Sequence, residues 1–279
     1  MAPWTRKTSG RDGGFDPTYR FATSWIVSPA VLFFARALLS LYAFATQFYI
    51  FGWNGTHGRG VDTGHSFSYF TILTYWGLAF YFAFAALHTG SYWLTGKPFL
   101  HRWIAPLRWA HSAFYSTIVV YPFIVTAVFW ALLAPENGFA STKDLWSNTS
   151  QHALNSFYAL FEIVFPRTEP LPFLHIIVIV IVLALYLSLA YLTHALQGWY
   201  TYDFLDLSKH SGGVVAGYIV GILVGSIIVF LIVRYLILLR LWLTEKKLGM
   251  TGKFSSRDQR GVRDEEAGKH VQMHSINVK

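Results

Sequence analysis

The chain contains no cysteine, so any side-chain nucleophile it uses is a hydroxyl, and thiolate zinc and iron–sulfur sites are excluded. A hydroxyl is a weak nucleophile until a base takes its proton, and histidine is the usual base. Thr71 with His152 is the smallest such set. Asn148 precedes His152 by four residues, which on a helix places its amide on the same face, where it would orient the ring or hydrogen-bond an oxyanion. His194 is a third candidate. Glu162 lies ten residues past His152, nearly three helical turns deeper, and is expected to pair with another helix instead. Arg36, about eleven residues into an apolar run, is its natural partner, because an arginine in hydrocarbon must face the bundle and find a counter-charge. Residue type alone does not single these groups out. A membrane threonine commonly bonds the carbonyl four residues back, and a histidine near a helix end is commonly interfacial. The sequence has no Gly-x-Ser-x-Gly elbow, no His-Glu-x-x-His and no Gly-rich phosphate loop, so no metal site and no cofactor is assigned.

The elements that must position these groups follow from composition. The 279 residues are 54% hydrophobic and 13% charged, against about 25% charge in a soluble domain. A helix needs roughly 20 apolar residues to cross a membrane. Six stretches are candidates: 25–53, 67–88, 110–134, 149–166, 172–199 and 214–243. The fourth is the weakest, carrying His152, Asn155 and Glu162. The expected fold is therefore all-α, a bundle of six transmembrane helices over 24–244, with an N-terminal tail (1–23) and a charged C-terminal tail (245–279).

Of the 22 Lys and Arg residues, 16 fall on one side of this arrangement: four in the N-tail, Lys97, Arg102, Arg108, Arg167, and eight in the C-tail. The opposite loops hold Arg59, Lys143 and Lys209. By the positive-inside rule both termini are cytoplasmic. The net charge of +8 then orients the protein in its bilayer and does not advertise nucleic acid. Two glycosylation-type triplets, at Asn54 and Asn148, fall in the outer loops. Thr71 is four residues past Phe67 and His152 three past Thr149, so both are expected roughly 5–6 Å below the outer boundary. His194 ends span five at the same level. Glycines 213, 217, 221 and 225 share one face of the last span. Close packing within the molecule is the main expectation for Gly213, Gly217, Gly221 and Gly225, and a homodimer seam the alternative.

Four stretches carry a likeness. They are Ser66-Phe67-Ser68-Tyr69-Phe70-Thr71; Trp146-Ser147-Asn148 with His152 and Glu162; Ala127-Val128-Phe129-Trp130; and His194, Gly198-Trp199 and Tyr202-Asp203-Phe204-Leu205-Asp206. In order and spacing the chain resembles the androgen-induced and androgen-dependent TFPI-regulating proteins, integral-membrane threonine hydrolases of fatty acid esters of hydroxy fatty acids. The resemblance covers roughly 64–206 and extends, with the six-span plan, to about 245. It implies that Thr71 is the catalytic threonine and His152 the catalytic histidine, and it implies an endoplasmic reticulum or other endomembrane location, the plasma membrane being the alternative. The chain departs from the family pattern at Thr149, Ala153 and the pair Thr193-His194.

The expected activity is intramembrane hydrolysis of a lipid ester that arrives sideways from the bilayer. Two other readings compete. Histidines at both membrane faces (His88, His101, His111 and His175 inside, His152 and His194 outside) fit a six-helix haem carrier, with His88–His175 or His152–His194 as axial pairs. The third reading is a non-enzymatic lipid-binding membrane protein.

Overall fold

Ser28 opens the first long helix. Its backbone is extended, its hydroxyl accepts the Val31 N–H at 3.3 Å, and Pro29 occupies the first turn, where no donor is needed. The structure, a computed structural model, describes residues 15–250, so Arg6, Lys7, Arg11 and the tail beyond Met250 lie outside the described residues. Eight α-helices follow one another: α1 (Pro29–Thr56), α2 (Gly60–Ser66), α3 (Phe70–Thr95), α4 (Ala105–Val128), α5 (Thr142–Thr149), α6 (Asn155–Val164), α7 (His175–Gln197) and α8 (Gly212–Leu241). Helices α3 and α7 stop at Gly96 and Gly198, whose φ of 76° and 78° belongs to the left-handed region that glycine adopts without strain. The described residues contain no strand, only an isolated bridge between Ser24 and Pro166.

Among the described residues five helices are long and apolar enough to cross a membrane: 29–56, 70–95, 105–133, 175–197 and 212–247. The weak fourth stretch is helical from Thr142 to Val164 but too polar to join that set. It begins seven residues before the expected 149, because Ser141 caps it: its hydroxyl accepts the Asp144 N–H at 3.1 Å. π-turns replace α geometry at Phe129–Leu133, after α4, at Ser150–Leu154, between α5 and α6, and at Trp242–Lys247, after α8. Each π-turn admits an extra residue and re-aims the side chains that follow.

Helices α1 and α3 form the most extensive pairing, while α4 packs on α6 and α8, and α7 lies against α4 and α8. The close approach of α1 and α3 is set at Gly90, where a β-carbon would stand 2.9 Å from the Phe33 ring. Gly213, Gly217, Gly221 and Gly225 behave differently: a β-carbon at any of them meets nothing within 4 Å. The expectation that this stripe packs within the molecule is corrected, since spacing by four defines a helix face without saying which way it points. Asn54 and Asn148 sit inside helices α1 and α5 rather than in loops, and Asn54 is buried.

Deep charged side chains in the apolar helices find partners. Arg36 and Glu162 are fully buried and meet in a two-pronged ion pair, Nε–Oε1 and Nη2–Oε2 each at 2.7 Å. The remaining donors of Arg36 reach the Phe21 carbonyl at 2.8 Å and Thr89 Oγ1 at 2.6 Å. Tyr81 donates to Glu162 Oε2 at 3.2 Å. Arg234 donates to the Leu171 carbonyl and Arg240 to those of Ile163, Pro166 and Thr168, so both grip the connection between α6 and α7.

Candidate active site

Thr71 is the second residue of α3 and is buried. Tyr69 precedes the helix in extended geometry and provides no side-chain cap. The first amides of a helix have no partner within it. Tyr202, on the loop after α7, lies close enough to Phe70, Thr71 and Tyr186 for these groups to bear on its phenol. Burial pushes the Tyr202 phenol above its usual range, so it stays protonated and able to donate. Two hydrogen bonds fasten α7 to the start of α3: Tyr186 to the Ser68 carbonyl at 3.1 Å and Thr193 Oγ1 to Ser68 Oγ at 3.0 Å.

In front of Thr71 is a cavity of about 220 Å³, walled by α3, α4, α7, α8 and the 202–205 loop. Its only polar lining side chains are Thr71, Tyr186 and Tyr202; the rest are Ile, Val, Leu, Phe and Ala. A neighbouring open cleft of about 410 Å³ between α3, α4 and α7 shares Phe70 and Tyr186 with it.

His152 occupies the middle of the π-turn joining α5 to α6 and is buried. Its imidazole lies flat on the Phe129 ring, centroids 3.6 Å apart and planes 8° from parallel. Trp130 Nε1 donates to the His152 carbonyl at 3.0 Å, tying the two π-turns together. His152 Nδ1 is buried with no hydrogen-bond partner. Phe129 also lines the Thr71 cavity. Phe129 thus links His152, on which it stacks, to the cavity that Thr71 also lines, and among the described residues no hydrogen bond joins Thr71 and His152.

The other predicted residues lie elsewhere. Asn148 donates to the Asp144 carbonyl at 2.9 Å, within its own helix, and the π-turn that starts at Ser150 breaks the four-residue register that would have stacked it on His152. His194 stacks on Tyr200 at 3.7 Å and lines no part of the cavity. Arg36 and Glu162 belong to the buried ion pair and do not line it either. The axial pairs of the haem reading are not assembled. His88 stands edge-on to His111 at 4.9 Å, and His175 Nδ1 shares a hydrogen bond with Ser116 Oγ at 2.7 Å. Among the described residues no group of three or more His, Asp or Glu side chains is arranged to hold a metal ion.

Phe129, Tyr186 and Tyr202 emerge only in three dimensions. Phe129 and Tyr202 fall within the stretches that carry the family likeness, which was the one available signal; Tyr186 has none, being one more aromatic in an apolar span. Compared with protein-family models, with curated proteins and with solved structures, the chain gives no match.

Proposed function

We propose that the chain is a multi-pass membrane hydrolase that cleaves lipid esters, with Thr71 as nucleophile and His152 as base. The observation that carries the reading is the setting of Thr71: a hydroxyl at a helix N-terminus, opening on an apolar cavity, with a buried histidine stacked on the cavity's Phe129. An alkyl chain gains about 0.8 kcal/mol per methylene on leaving water, but almost nothing on leaving lipid. The cavity's contribution is thus position rather than affinity. It holds an acyl chain so that the ester carbonyl lies at Thr71.

In this mechanism the ester slides in through the cleft shared by Phe70 and Tyr186. Phe129 turns aside as the chain fills the cavity, and His152 reaches the Thr71 hydroxyl. His152 takes the proton, the threonine oxygen attacks the carbonyl, and the developing oxyanion is held by the α3 amides and the Tyr202 phenol. The alcohol leaves with the proton from His152. Water then attacks the acyl-threonine, His152 again moves the proton, and the fatty acid is released. The resemblance supports fatty acid esters of hydroxy fatty acids as substrates. It also supports six membrane crossings, with 142–164 as the fourth, cytoplasmic termini and an endomembrane location.

A lipid-binding role without turnover is the second reading, favoured by His152 stacking on Phe129 with no hydrogen bond to Thr71 among the described residues. Steady-state hydrolysis by purified protein separates the two. Thr71→Ala and His152→Ala are expected to lose about a thousandfold or more in rate, and Thr71→Ser to keep part of it. Wild-type turnover by Thr71→Ala ends the threonine mechanism; binding without turnover by the wild type favours the lipid carrier.

A further inference from the structure

Helix α1 and the rod 142–164 enclose a polar cluster that the mechanism above does not use. Three of its atoms are buried with no hydrogen-bond partner: Thr46 Oγ1, Gln47 Nε2 and Tyr75 OH. Their residues are at most 1% exposed. Thr46 and Tyr75 are close enough to influence one another's hydroxyls, though they make no hydrogen bond of normal geometry. Gln47 Oε1 accepts from Gln151 Nε2 at 3.2 Å, and Tyr42 shares a hydrogen bond with Ser150 at 2.8 Å. Turning both glutamine amides over exchanges their roles and still leaves one amine unbonded.

Polar side chains in a membrane helix usually face a water-filled space or one another. A cleft adjoins the cluster. Of about 570 Å³ and open to the surface, it is lined by Tyr42, Ala45, Thr46, Tyr49, Thr142, Lys143 and Trp146, between the charged end of α5 and α1. One water takes about 30 Å³ of liquid, so the cleft has room for several. Ser150 and Gln151 sit on the same π-turn as His152, and they present their side chains to α1 while His152 presents its ring to Phe129.

We propose that this cleft is a water inlet, which conducts water from the surface beside Lys143 to the back of the π-turn that carries His152. Acyl chain and water then reach the site from opposite sides, the chain through the cavity at Thr71 and the water through the cleft that carries Thr46, Thr142 and Lys143. The supplying role rests on the hydrolase reading above. In it, the water oxygen bonds to the acyl carbon, His152 accepts the water proton, the bond from that carbon to Thr71 Oγ breaks, and the proton passes to the threonine oxygen.

The cysteine-free chain makes hydration directly readable. Thr46→Cys, a near-isosteric change, is treated in membranes with a charged, membrane-impermeant methanethiosulfonate, and Leu41→Cys, on the exposed apolar face of α1, serves as the lipid-facing control. A thiol must ionise to react, so the inlet predicts labelling at position 46 at least about tenfold faster than at 41. Equal or slower labelling at 46 overturns it. Thr46→Val is then followed through a single turnover. Unchanged acylation of Thr71 with slower acyl release supports water supply, and unchanged release overturns that role. If Thr71 is never acylated, the hydrolase reading fails, and thiol labelling alone decides the inlet.

Discussion

At the residue scale, the fully buried groups show most clearly what is at stake. Removing two ions from water costs several kcal/mol each, and only close geometry with every remaining donor satisfied offsets this. Arg36 and Glu162 meet that condition through Phe21, Thr89 and Tyr81. Leaving either ion alone costs about 3–5 kcal/mol. Glu162→Gln is therefore expected to lower the melting temperature in detergent. The double change Arg36→Met, Glu162→Leu is expected to lose less than the two single changes added together. An unaltered melting curve for Glu162→Gln contradicts this account. The pair was legible in the sequence, since a deep arginine has very few possible partners. The stacking of His152 on Phe129, beside the cavity that Thr71 lines, was not. A phenylalanine in an apolar span produces the same pattern whether it faces lipid, core or a histidine.

At the element scale, the two π-turns flanking the site explain why periodicity placed the helices well and the side chains less well. A period of 3.6 carried through 148–152 stacks Asn148 on His152. The extra residue of the π-turn undoes that register, and nothing in residue type announces it. The glycines make the same point from the opposite direction. The spacing of 213, 217, 221 and 225 was plain, yet the face points away from the molecule, whereas Gly90, which belongs to no motif, sets the approach of α1 to α3. Gly90→Val is expected to cost about 1–3 kcal/mol through overpacking against Phe33. Gly217→Ala is expected to leave stability unchanged or to raise it by up to about 1 kcal/mol through helix propensity. Thermal melting of both variants checks the contrast, and a larger loss for Gly217→Ala than for Gly90→Val reverses the assignment.

At the scale of the whole molecule, five apolar helices pack with a sixth, more polar rod. Its Phe157, Leu160 and Val164 are exposed, while its polar side chains turn toward the other helices. Its Glu162 holds α1, and its Asn155 and Ser156 take up the carbonyl of Pro122 in α4, at 3.3 Å each. An all-helical bundle was readable from apolar run lengths; the true start of the rod was not, because the capping serine lies in a polar loop. If the rod crosses the membrane, epitopes fused at the two ends of the chain are digested together by protease added to the cytoplasmic side. Protection of one epitope alone contradicts an even number of crossings. The central claim concerns one oxygen atom, and one measurement reads it. Purified protein is treated with a fluorophosphonate, and the adduct is located by peptide mass spectrometry. The account predicts a single modified site at Thr71, abolished in His152→Ala. Modification at another residue, or none while lipid ester is being turned over, would contradict it.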